Sequence, residues 1–121
     1  MDADGDDAAA PLLDLVVLRS ADLSAARAFY EALGVVFGEE QHGSGPRHLA
    51  GRLGNGVVLE LYPATQTGPV AEGRLGFVVH DVAVAVRAVC AAGGTIVTEG
   101  GARATVADPD GRRVDLTAAV L

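Results

Sequence analysis

The chain repeats itself, and the repeat leaves few folds open to it. Residues 15–34 read LVVLRSADLSAARAFYEALG, and residues 74–93 read RLGFVVHDVAVAVRAVCAAG. An offset of 59 pairs Leu18 with Phe77, Asp22 with Asp81, Leu23 with Val82, Ala26 with Ala85 and Gly34 with Gly93. A second pair, GNGVVLEL at 54–61 and PDGRRVDL at 109–116, is offset by 55 and matches Gly56 with Gly111, Glu60 with Asp115 and Leu61 with Leu116. The four-residue difference falls in the intervening loop, where a change of length costs little. Repetition on this scale marks a duplicated supersecondary unit.

Each unit starts with a short apolar run, Leu15–Arg19 or Leu75–Val79, of strand length. Asp22 or Asp81 then offers a carboxylate to the exposed amides of a helix start. In the first unit Leu23, Ala26, Tyr30 and Leu33 fall at helical spacing before Gly34, a residue suited to ending a helix. In the second, Val82, Val84 and Val86 alternate with Ala, a strand-like pattern. The shared cap, length and Gly93-Gly94 stop nevertheless predict a helix. Strands are expected at Val35–Glu40, Arg47–Leu53 and Val57–Tyr62, and again at Thr95–Glu99, Ala102–Ala107 and Arg113–Thr117. Turn sequences separate them, Asn55-Gly56 and Asp110-Gly111 being the strongest hairpin signals. The unit is βαβββ, used twice in an α+β domain.

The 121 residues carry a formal charge of −7. Asp2, Asp4, Asp6 and Asp7 supply four of the sixteen acids, and residues 1–10 are expected to form a disordered acidic tail. Residues 11–121 are expected to form a single domain: module 1 at about 11–64, a linker at about 63–73 and module 2 at about 74–118. All nine bases are Arg, and they form no basic face of the kind a nucleic-acid partner needs. Every apolar run is broken well short of the roughly 18 residues of a membrane span. The start of the chain has no signal-peptide pattern, so a cytoplasmic location is expected. The single Cys90 excludes an intramolecular disulfide and a thiolate-rich zinc site.

The paired βαβββ plan, the Asp-led helix with Phe29-Tyr30 and Leu33-Gly34, and Asp108-Pro109-Asp110-Gly111 before an acidic strand residue resemble the vicinal oxygen chelate superfamily. That superfamily includes glyoxalase I, extradiol dioxygenases and the fosfomycin and bleomycin resistance proteins. The resemblance covers residues 13–118. It implies two curved mixed sheets, each with one helix on its outer face, and facing troughs that enclose a cavity. Enzymes of the superfamily hold a divalent metal there with residues from the first and fourth strands of each module. Those positions are Leu15, Glu60, Arg74 and Asp115 in this chain. Leu15 has no donor atom, and the permanent charge of Arg74 repels a cation. The usual metal site is therefore read as lost, with no cofactor expected and catalytic residues unknown. Arg74 is expected to stand in the cation's place, bridging Glu60 and Asp115; its alternative is a solvent-facing position at a module edge.

Strand alternation then places Leu15, Val17 and Arg19 on the cavity side, with Val58, Glu60 and Tyr62, Arg74 and Val78, and Arg113 and Asp115. This predicts an apolar floor with a few convergent polar groups, a pattern typical of small-molecule sites. His48 on the third strand is open to two readings, a cavity-facing base or metal ligand and a bystander. His42 is expected to be solvated in its hairpin, His80 to lie at the surface and Cys90 to pack inertly. Two functions remain. One is metal-free binding of a small molecule, of sequestration or resistance type. The other is a divergent metal-dependent lyase, isomerase or dioxygenase using His48 with Glu60 and Asp115. With no Trp, two Tyr and three Phe, the chain has few rings to stack on a large planar ligand. The resemblance also implies a homodimer.

Overall fold

The computed structural model describes residues 10–64 and 72–119; the expected acidic tail, apart from Ala10, and most of the expected linker lie outside the described residues. The chain runs β1 (Leu15–Ser20), α1 (Leu23–Ala32), β2 (Phe37–Glu40), β3 (His48–Arg52) and β4 (Val58–Pro63). It then repeats the pattern as β5 (Arg74–Val79), α2 (Val82–Ala91), β6 (Thr95–Gly100), β7 (Arg103–Ala107) and β8 (Arg113–Ala118). The two sheets have matching orders, β1-β4-β3-β2 and β5-β8-β7-β6. In each, the first and last strands pair in parallel and the remaining pairs are antiparallel. This is the α+β double βαβββ plan that the repeat predicts.

Both helices start and stop for local reasons. Asp22 Oδ1 accepts from the Ala25 amide at 3.0 Å, and Asp81 Oδ1 accepts from the Val84 amide at 3.0 Å. Each carboxylate satisfies an amide that the first turn leaves without a partner. The chain leaves each helix through Gly34 (φ 107°) and Gly93 (φ 104°), in a region that favours glycine. The Val35 amide then folds back onto the Tyr30 carbonyl at 3.2 Å. That bond commits Val35 to ending the helix, so β2 begins at Phe37, two residues later than the sequence pattern predicts. In α2, buried Val82, Ala85, Val86 and Val89 recur at helical spacing while Val84 faces out. The cap and this buried stripe override the strand preference of alternating valines.

One face of each sheet joins a single core. Leu18, Leu59 and Leu61 from the first module meet Val106, Val114 and Leu116 from the second, with Ala26, Phe29, Tyr30, Val86 and Val89 of the helices between. Full burial of each such Leu contributes roughly 1.5–3 kcal/mol. The modules interlock through α1. The Tyr30 ring lies 6.2 Å from that of Phe77 on β5, and Phe29 packs where Gly94 follows α2.

A buried polar network adds direction to this contact. The Tyr30 hydroxyl donates to Asp108 Oδ2 at 2.6 Å, and Arg112 Nη1 donates to the same oxygen at 2.6 Å. Arg112 also donates through Nη2 to the Arg19 carbonyl and through Nε to the Glu72 carbonyl. Asp110 Oδ1 accepts from the Ala21 amide at 2.9 Å. The Asp108-Pro109-Asp110-Gly111 turn is therefore a clamp between modules as well as a hairpin connection. It fixes where β8, and with it Asp115, begins.

Candidate ligand-binding site

The second face of each sheet is open. Its residues alternate with the core as strand geometry requires, and Leu15, Val17 and Val78 remain 48%, 43% and 70% exposed. On the second module, register places Gly76 opposite Asp115 and Thr105 opposite Asp115 on the other side. Arg74 reaches diagonally across the small Gly76 position. Its Nε donates to Asp115 Oδ2 and its Nη2 to Asp115 Oδ1, both at 2.8 Å, while the Thr105 hydroxyl donates to Oδ1 at 2.6 Å. The Arg74 fork, seconded by Thr105, pulls the Asp115 carboxyl down to about pKa 2, and Asp115 in turn raises that of Arg74. This pair forms one wall of a cavity of about 420 Å³, with Thr98, Glu99, Arg103 and Thr117 on the others. Such a lining offers charged groups of both signs and hydroxyls to a polar guest.

The first module builds something different on the equivalent face. His48 opens β3, and its side chain is only 1% exposed. Its ring stacks on that of Tyr62 from β4, with centroids 4.2 Å apart and planes at 8°. Around its Nε2 stand Glu40 Oε1 at 3.2 Å, the Tyr62 hydroxyl at 3.4 Å and Glu60 Oε2 at 3.8 Å. His42 Nε2 lies 3.5 Å from the same Glu40 oxygen.

The expected cavity residues are thus divided between two places. Arg74 and Asp115 belong to the second-module cavity; His48, Glu60 and Tyr62 gather on the first module. Leu15, Val17, Arg19, Val58 and Arg113 lie on the open faces but line neither the 420 Å³ cavity nor the His48 cluster. Val78 lines a separate cleft of about 480 Å³ between modules, beside Arg52, Asn55 and Val35. The predicted three-part bridge is corrected to a pair: Arg74 binds Asp115, while the side chain that Glu60 faces is His48, with Nε2 3.8 Å from Glu60 Oε2. Glu60 and Asp115 sit on different sheets, so one guanidinium serves only its own. Thr105 and Arg103 join the cavity and Glu40 joins the His48 cluster in addition to the residues expected from the sequence. Thr105 follows from the 55-residue offset applied to β3, which carries Ala50 there. His42 is 74% exposed, as its hairpin position predicts, and its ring still lies 5.2 Å from that of His48.

A family model described as a glyoxalase-like domain matches residues 15–117. The chain belongs to the glyoxalase-like domain family. Its superfamily is the vicinal oxygen chelate group, whose solved members share this fold. The glyoxalase-like chain is similar to TnmS3, an antibiotic binding protein from a Streptomyces species, at 25% identity and a TM-score of 0.69, over 93% of this chain and 98% of that one. It is similar to the trypanothione-dependent glyoxalase I of Leishmania major at 22% identity and a TM-score of 0.71, over 90% and 87%. It is also similar to a glyoxalase/bleomycin resistance protein from Albidiferax ferrireducens at 21% identity and a TM-score of 0.69, over 91% and 100%. No curated protein matches the sequence. Among the described residues no helix is long and apolar enough to cross a membrane.

The superfamily's usual metal does not fit this glyoxalase-like chain. Leu15 offers no ligand atom, and both oxygens of Asp115 are already taken, Oδ1 by Arg74 and Thr105 and Oδ2 by Arg74. A cation at these four positions would have to displace a permanent guanidinium.

Proposed function

We propose that this glyoxalase-like protein binds a small polar molecule and holds it unchanged, as a sequestration or resistance protein does. The observation that carries the reading is the Arg74 fork on Asp115. It occupies a position where metal-dependent relatives place a ligand, and it forms the wall of a 420 Å³ cavity. The antibiotic binding protein among its structural neighbours has the same fold and supports the same use of it. The ligand is a molecule with hydrogen-bonding and charged groups rather than a large planar aromatic, because the lining is Arg, Thr, Glu and Asp. Its single free cysteine suits the reducing cytoplasm, where we place its action.

Two copies of the chain would cover the apolar residues that each open face exposes, and we assign the working form as a homodimer on that ground. Light scattering should then return twice the chain mass, and a monomeric mass would overturn the assignment.

A thermal-shift screen of small polar compounds on metal-free protein tests the binding reading. A true ligand raises the melting temperature, is recovered chemically unchanged, and binds at least tenfold more weakly to Arg103→Ala. Failure of every compound in a broad screen overturns it. Recovery of a converted compound would instead establish the second reading, a divergent lyase, isomerase or dioxygenase, which draws on the approach of His48 to Glu60.

A further inference from the structure

The imidazole of His48 is held in one orientation. Its Nδ1 lies 3.2 Å from the Pro46 carbonyl oxygen, which can only accept, so Nδ1 carries the proton. With the proton on Nδ1, it is Nε2 that is free to offer a lone pair to a metal. Facing it are Glu40 Oε1 at 3.2 Å and Glu60 Oε2 at 3.8 Å, two further acceptors. The Tyr62 hydroxyl at 3.4 Å has a single hydrogen to give among them. Burial and the Tyr62 stack keep the ring from turning away. Acceptors that converge on one point with a single hydroxyl hydrogen among them are a suitable set of donor atoms for a cation.

We propose that Glu40, His42 and His48 form a binding site for one divalent first-row transition metal, with Glu60 within reach as a fourth ligand. One ligand atom from each of the three residues lies within 4.8 Å of the others. A tetrahedral metal with arms of about 2.0–2.1 Å spaces its ligand atoms about 3.3 Å apart. Two of the edges already measure 3.2 and 3.5 Å, from Glu40 Oε1 to His48 Nε2 and to His42 Nε2. Two imidazoles with a carboxylate select zinc, copper, nickel or iron over calcium and magnesium. The Pro46 carbonyl plays the orienting part that outer partners of metal-bound imidazoles commonly play. Bound metal would tie the β2–β3 hairpin together. The three core ligands, Glu40, His42 and His48, are none of the positions the superfamily uses; only Glu60 is shared with them, and the Arg74–Asp115 cavity lies on the other sheet.

The test uses the full chain, stripped with chelator and titrated with Zn(II) by calorimetry, with the visible absorption of the Co(II) form as a second readout. One metal per chain is expected, together with a higher melting temperature on adding zinc. His42→Ala and Glu40→Gln, both at exposed positions, should weaken binding about tenfold or more and change the Co(II) spectrum. His80→Ala removes an imidazole outside the cluster and should change neither. Absence of binding overturns the proposal, as does undiminished binding in His42→Ala and Glu40→Gln. The compound screen runs on metal-free protein, so either result leaves the other proposal standing.

Discussion

The hydroxyl of Tyr30, on the helix of the first module, donates across 2.6 Å to Asp108 in the turn before the last strand of the second. Burial pushes the phenol's pKa up, and the neighbouring carboxylate pushes it further, so the donor stays protonated. Arg112 completes the arrangement. Burial works against its charge, yet Asp108 and Tyr30 outweigh that effect and leave its pKa raised. Two side chains 78 positions apart in sequence thus hold the modules in one relative placement.

Removing either partner of Asp108 should destabilise the protein, to different degrees. The Arg112 and Asp108 side chains are 3% and 0% exposed. Arg112→Met leaves a buried carboxylate without its counter-charge and should cost about 3–5 kcal/mol. Tyr30→Phe deletes one donor while Arg112 remains, and should cost about 1–3 kcal/mol. Urea denaturation of the three proteins measures both; a smaller loss in Arg112→Met than in Tyr30→Phe would reverse the assigned order.

Stability should depend on pH through Asp115. An ordinary Asp titrates near ~3.9, and the Arg74 fork with Thr105 holds this one at about 2. A carboxyl depressed in the folded state stabilises above the unfolded value and loses that contribution as pH falls through the folded one. Asp115→Asn should therefore lie furthest below the parent protein at neutral pH and converge with it between about pH 4 and about pH 2. Salt should narrow the gap too, because the Arg74 side chain is 60% exposed. Melting temperatures across pH test this, and a gap that stays constant down to about pH 2 would contradict it.

The close approach after α2 predicts a sensitive glycine. A Cβ at Gly94 would stand 2.6 Å from the Phe29 ring and 3.0 Å from the Val89 carbonyl oxygen, whereas one at Gly100 would meet nothing within 4 Å. Gly94→Ala should cost about 1–3 kcal/mol by forcing Phe29 aside. Gly100→Ala should stay within about 0.5 kcal/mol. Equal effects in thermal melts would mean that the modules are less closely packed at this point.

The repeat, the Asp22 and Asp81 caps and the glycine stops determined the order of all ten elements, because each of those signals acts over a few residues. Strand alternation likewise placed Leu15, Val17, Glu60, Arg74 and Asp115 on the faces away from the core. Which of them meet was decided only by the tertiary structure. Register set Arg74 diagonally across from Asp115 and kept Glu60 on the other sheet beside His48. It also brought the exposed hairpin imidazole of His42 to a buried one, and Tyr30 to Asp108. These contacts depend on how two sheets and two helices settle around one core. A local pattern carries the side on which a residue points; the partner it finds there is fixed by packing between segments far apart in the chain.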